Sequence, residues 1–276
     1  MKNLMLYVAE EGDTGIARAR REMDIQVENS LDLGWLPGEI LLYTNFPYSR
    51  SGIDAIRVNP PRRPPHARTT AYFKIYCILD ALDRALPSER FWYHDLDAYQ
   101  LVPFEEWPTR REMAFCLYCT RDRLKAQGGS MFFTDASRPV FDRVFDLLAK
   151  HNYRTDELAL TDLMGVREFL DRFDVLDYSY NLGDTDFALR YQLALTPIKV
   201  VHFHIDRPSH LGKFFGHSAL GVEPLTERFK LLLARHGVTY DPGAPRRPRS
   251  GWWRWLPGVP QVRPAFSLAA PSAVQE

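Results

Sequence analysis

Apolar positions along this chain fall into two kinds of block. Short continuous apolar runs at positions 4–9, 39–44, 53–58, 90–94, 114–119, 130–133 and 198–205 have the length and character of buried strands. Between them, apolar side chains return at helical spacing. Positions 12–32 carry Ile16, Met23, Val27 and Leu31. A segment opening at Thr69 or Thr70, either of which would cap it, carries Tyr72, Phe73, Ile75, Tyr76, Ile78, Leu79 and Leu82 and is ended by Pro87. Positions 139–150 place Val140, Val144, Leu147 and Leu148 on one face, and 158–170 and 226–236 read as further helices. Pro37-Gly38 introduces the second strand, Asn59-Pro60-Pro61 ends the third, and the Pro/Arg-rich positions 62–66 read as an exposed loop. Strands alternating with helices predict an α/β domain built on a mostly parallel sheet with helices on both faces. Ligands of such sheets sit at the carboxyl ends of the strands.

Composition narrows the class. The chain has 276 residues, enough for one large domain or two small ones, and its 45% hydrophobic content supplies ample core. A net charge of +0 gives no global attraction to nucleic acid. No apolar run reaches the ~18 residues of a membrane span. The apolar start is too short for a secretory signal and runs into Glu10-Glu11. Three cysteines do not make a disulfide framework. Cys116 and Cys119 form a C-x-x-C without a second pair, so both are expected to be buried thiols in a reducing cytoplasm. The end of the chain differs. Proline recurs through it, Arg246, Arg247 and Arg249 cluster, and Trp252, Trp253 and Trp255 follow. Positions 1–240 therefore read as one domain and 241–276 as a tail. That tail is either a strap packed on the domain or a peripheral contact with the inner face of an anionic membrane, since tryptophan favours the interface and arginine the headgroups.

The candidate chemistry centres on positions 90–99, where an apolar run ends in Asp95-Leu96-Asp97. Two carboxylates at a strand end can hold a hard divalent cation, which in turn can hold a diphosphate. An Asp-x-Asp is more often a solvated turn; the blocks around this one favour the metal reading.

Those blocks, in order, resemble the GT-A glycosyltransferases, most closely the retaining glycogenin and galactosyltransferase group, over roughly positions 1–216. The resemblance implies a GT-A (Rossmann-like) single domain and a nucleotide-sugar donor, a UDP-sugar above all. Asp95 and Asp97 match the family's metal carboxylates, for Mn2+ or Mg2+. In Val200-Val201-His202-Phe203-His204, His202 matches the third metal ligand and His204, two residues on, is the alternative. Ala9 stands at the donor end of the first strand. Lys74, in Tyr72-Phe73-Lys74-Ile75-Tyr76, matches a lysine that reaches the donor phosphates. Gln127-Gly128-Gly129-Ser130 resembles an Asn-Ser-Gly block that touches the sugar, with Gln127 in the place of asparagine and Gly129 allowing close approach. Asp156-Glu157 resembles an Asp-Gln block whose Asp sits by the anomeric carbon; Glu157 replaces the glutamine. Tyr180-Asn181 resembles a Tyr-Asn before the closing segment, and Lys213 matches a diphosphate-contacting lysine, without the Pro-Trp that follows it in the family. The implied activity is metal-dependent sugar transfer, with retention, to a glycan or lipid-linked acceptor.

Two other classes share parts of this pattern. A phosphohydrolase with Asp-x-Asp would carry it near its first strand, whereas at least three strands precede it here. A non-catalytic GT-A module that binds a nucleotide or glycan would need the same pocket without turnover.

Overall fold

The computed structural model describes residues 1–10, 12, 14–119, 124–216 and 223–240, and residues 1–240 cluster as one compact unit. The tryptophan- and arginine-rich tail lies outside the described residues. In chain order the elements are β1 (Lys2–Tyr7), α1 (Ile16–Asp32), β2 (Ile40–Thr44), β3 (Ser49–Arg50), β4 (Ile53–Asp54), β5 (Ile56–Arg57), α2 (Thr69–Asp83), β6 (Arg90–His94), β7 (Ala98–Gln100), β8 (Met113–Cys119) and β9 (Leu124–Thr134). They continue with α3 (Arg138–Lys150), α4 (Asp156–Leu163), β10 (Phe173–Leu176), β11 (Leu182–Gly183), α5 (Phe187–Leu193), β12 (Val200–His202), α6 (Pro208–Phe214) and α7 (Glu227–Arg235).

The main sheet has seven strands in the order β10-β8-β9-β6-β1-β2-β5. Its pairings are parallel except where β9 joins β8 and β6. Side chains alternate across it, as the pleat requires. Leu4, Phe91, Tyr93, Met131 and Phe133 enter one core, with Ile75, Ile78, Phe141 and Leu160 of α2, α3 and α4. Met5 and Leu42 point the other way, against Ala19, Met23 and Val27 of α1. Trp92 and Phe132 also face that way and meet Ala98 of β7 and Val200 of β12. This face is thus covered half by a helix and half by a second, three-stranded sheet in the order β11-β12-β7. A further core, with Tyr99, Val201, Phe203, Phe214, Phe229 and Leu232, lies behind that small sheet.

Several elements differ from their predicted form. The apolar run at 53–58 is two short strands: Ser51 and Gly52, both at positive φ, turn the β3–β4 hairpin, and only β5 joins the main sheet. The helix α2 is preceded by Arg68, and neither Thr69 nor Thr70 caps it. The helix predicted over 158–170 starts at Asp156, where the Thr155 hydroxyl accepts the Leu158 N–H, and stops at Leu163, two residues before Gly165. The run at 198–205 contributes three residues to the small sheet and none to the large one. Cys116 is buried but Cys119 is exposed, because β8 leaves the core at its end. Among the described residues no helix is long and apolar enough to cross a membrane.

The helix α1 also fixes the turn between β6 and β7. Gln26, 1% exposed, donates from Nε2 to the carbonyls of Leu96 and Ala98, each at 2.8 Å, and Asn29 donates to the Gln100 carbonyl at 2.9 Å. Gln26→Leu would leave two buried carbonyls without a donor. At roughly 1–3 kcal/mol for each lost partner, the variant is expected to be about 2–4 kcal/mol less stable in urea denaturation.

Candidate functional site

The turn between β6 and β7 carries Asp95 and Asp97. The Asp95 N–H donates to the Gly129 carbonyl at 3.0 Å, and the Ala98 N–H returns to the Asp95 carbonyl at 2.9 Å. This closes the turn and sends Asp97 across to β12. β12 runs antiparallel to β7 with His202 opposite Ala98, the first residue after the turn, and there the His202 ring meets the Asp97 side chain that precedes β7. His202 Nε2 lies 3.1 Å from Asp97 Oδ1, and His204 Nδ1 lies 2.7 Å from Oδ2. Ligand atoms of Asp95, Asp97 and His202 all lie within 4.8 Å of one another. Burial alone would raise the Asp97 pKa, but the two imidazoles outweigh it and hold the carboxyl well below its ordinary range. Burial favours the neutral His202 ring, and Asp97 overrides this and lifts its pKa to about 9.

A second centre lies beneath. Lys74 is 5% exposed on α2, and its Nζ donates to the Gly128 carbonyl at 3.1 Å and to Asp156 Oδ2 at 3.0 Å. Asp95 Oδ1 is 3.2 Å away. Burial would strip the proton from this ammonium; Asp156 and then Asp95 more than compensate and raise its pKa. Glu157, next to Asp156 at the head of α4, accepts hydrogen bonds from the Tyr118 hydroxyl at 2.9 Å and the Gly128 N–H at 3.3 Å. Burial, then the Asp156 charge, raises its pKa. The two glycines are spatial requirements. A Cβ on Gly128 would overlap Asp156 Oδ2, and one on Gly129 would overlap the His202 ring.

A cavity of about 190 Å³ opens between these centres, lined by Asp97, Gln127, Glu157, His202 and His204 among others. Asp95, Lys74, Asp156 and Gly129 are not among its lining residues. Lys213 stands to one side: its Nζ donates to the Asp184 carbonyl at 2.8 Å. Ala9 is not among the lining residues, and its N–H and carbonyl are both taken by the Asn45 side chain. His94, on the opposite side of β6, is fully buried and bonded to Asn3 and the Asp95 carbonyl.

Sequence reasoning missed Arg190, Tyr118, Asp184 and His210, which also line the cavity. Arg190 had one legible signal. It lies three residues after Phe187, on the face of α5 that turns inward. Asn181 is fully buried with neither amide atom partnered, and it does not line the cavity.

No protein-family model and no curated protein sequence matches the chain. Solved structures do. The galactosyltransferase LgtC, in complex with donor and acceptor sugar analogues, aligns over 88% of this chain and 98% of its own, at 14% identity and a TM-score of 0.50. An active-site glutamine-to-glutamate variant of LgtC aligns over the same shares at 14% identity and a TM-score of 0.51. A glycosyltransferase involved in glycosylation of the PBCV-1 major capsid covers 74% of this chain and 93% of its own, at 13% identity and a TM-score of 0.49. The chain has the GT-A fold of glycosyltransferases, a Rossmann-like α/β fold with a mostly parallel sheet.

The buried Lys74 is the element whose loss is easiest to read. Lys74→Met would leave Asp156, itself 4% exposed, without its cation; Asp95, a third exposed, would suffer less. Removing one partner of a buried pair typically costs about 3–5 kcal/mol. Urea denaturation of Lys74→Met is expected to register a loss of that order, and addition of Asp156→Leu to recover at least half of it.

Proposed function

We propose that this chain is a metal-dependent glycosyltransferase that moves a sugar from a nucleotide-diphosphate donor, a UDP-sugar, to a glycan or lipid-linked acceptor with retention at the anomeric carbon. The observation that carries the reading is the convergence of Asp95, Asp97 and His202, which are brought together from two sheets beside a buried Lys74–Asp156 pair. Two carboxylates and an imidazole suit Mn2+, and Mg2+ less well. The glycine at 129 keeps the space in front of the imidazole clear. A cation held there would neutralise the charge that develops on the departing diphosphate. His204, on the second oxygen of Asp97, orients that carboxylate.

The remaining work falls to the protein's own groups. Lys74 holds Asp156 in place below the cavity, where its charge would stabilise an oxocarbenium-like sugar. Glu157, with its raised pKa, and Gln127 present oxygens and an amide to sugar hydroxyls. In a front-face displacement the bond from the anomeric carbon to the diphosphate oxygen breaks as the acceptor oxygen bonds on the same side. The acceptor's proton passes to the diphosphate oxygen that leaves. No protein base is then required.

Calorimetry with UDP should give binding in Mn2+ that disappears in excess chelator and in Asp97→Ala, with the folded state retained. Binding that survives both would refute the metal assignment. In Asp156→Asn, donor affinity should stay within about threefold while turnover falls by about 10²–10³. NMR of fresh product should show the donor's own anomeric configuration. UDP binding without hydrolysis or transfer from any UDP-hexose would instead indicate a non-catalytic module.

A further inference from the structure

Arg190 is 4% exposed and faces the cavity, yet no carboxylate among the described residues lies within ion-pair distance of it. What it has instead are two ring faces, Tyr118 at 5.4 Å and Tyr178 at 5.6 Å from the guanidinium carbon. The rings fix the plane of the guanidinium but supply little of the solvation it has lost. A cation taken out of water without a counterion is costly unless something pairs with it. The acids nearby are committed elsewhere. Asp184 faces His210 at 3.3 Å and Lys213 at 3.6 Å. Glu157 accepts from the Tyr118 hydroxyl and the Gly128 N–H.

A second observation points to the same space. Gln127, 7% exposed, lines the cavity with its Oε1 buried and unpartnered. Between Gln127 and Arg190 lies Gly183. A Cβ there would come within 3.1 Å of Arg190 Nη1 and 3.3 Å of Gln127 Nε2. The absence of a side chain at 183 therefore keeps open a gap flanked by two sets of N–H donors. A guanidinium fork matches a carboxylate in the bidentate geometry that gives the strongest charge-assisted pairs. Asp97 and Glu157 look into the same cavity, so a monoanion is tolerated better there than a dianionic phosphate. The volume, about 190 Å³, is below that of ordinary ligand pockets and suits one sugar-sized group.

Resting on the transferase reading above, we propose that this cavity selects an acidic sugar, a hexuronate whose carboxylate pairs with Arg190 while its hydroxyls meet Gln127 and Glu157. The carboxylate can belong to the transferred sugar or to the terminal residue of the acceptor. Calorimetry separates the two. The donor arm compares UDP-galacturonate with UDP-galactose, and UDP-glucuronate with UDP-glucose, all in Mn2+. The acceptor arm compares methyl galacturonoside with methyl galactoside, in UDP and Mn2+. One arm should favour the acid by at least about tenfold, the effect of one hydrogen-bonded charge pair. In Arg190→Gln that preference should fall to within about twofold while UDP alone binds as before; Arg190→Lys, which keeps the charge but loses the fork, should fall between. Equal binding of acid and neutral sugar in both arms, or a preference that persists in Arg190→Gln, would overturn the proposal, and the wild-type comparison alone decides this if a variant fails to fold. Absence of UDP binding by the wild-type protein would remove the transferase reading itself, and this inference with it.

Discussion

A single buried ammonium ties the site together. Lys74 reaches from α2 to the carboxylate at the head of α4, to the carboxylate after β6, and to a carbonyl of β9. Four elements that share no local sequence meet at one nitrogen. The arrangement is electrostatically expensive by itself, since burial disfavours every charge in it. It holds because each buried charge faces an opposite one: Lys74 lies between Asp156 and Asp95, and Asp97 faces the His202 imidazole. The core beneath supplies the rigidity that lets these distances persist. The Tyr93 hydroxyl donates to Asp95 from one side of the Lys74 ammonium, while the Tyr93 ring lies 5.2 Å from it.

The two sheets divide the labour. The large sheet brings its carboxyl ends to one edge, as parallel strands must, and delivers Asp95 and the Gly128–Gly129 pair there. The small sheet, laid over Trp92 and Phe132, delivers His202 from a different direction. Neither sheet alone presents more than part of the candidate metal set. The cavity forms along their seam, and α5 closes its far side with Arg190.

The sequence revealed these parts unevenly. Asp95 and Asp97 were legible because an apolar run ended at an acid pair, and period-2 alternation then decided which neighbours point to the core. Lys74, Asp156 and His202 were legible only through their order along the chain. No periodicity distinguishes a lysine that bridges two acids from one in water. The small sheet was not legible: three residues at positions 200–202 are too few to reveal which sheet they join, and the apolar run around them read as a longer strand of the main one. Gln26 on α1 falls among helix positions that pattern marks as buried, but its purpose depends on carbonyls some seventy residues away. Arg190 was missed because its meaning lies in what does not pair with it, and spacing carries no record of that.

The sequence distances inside the site set an order of assembly. Lys74 and Asp156 are 82 residues apart, and Asp97 and His202 are 105 apart. Contacts so distant close late, after the loop entropy between them has been overcome. A chain emerging from its N-terminus can form α2, β6, β9 and α4, and with them the ammonium and its acids, before β12 exists. The imidazole arrives last. Any nascent or truncated form that ends before position 202 therefore holds Asp95, Asp97, Lys74 and Asp156 in its sequence without the imidazole that meets Asp97.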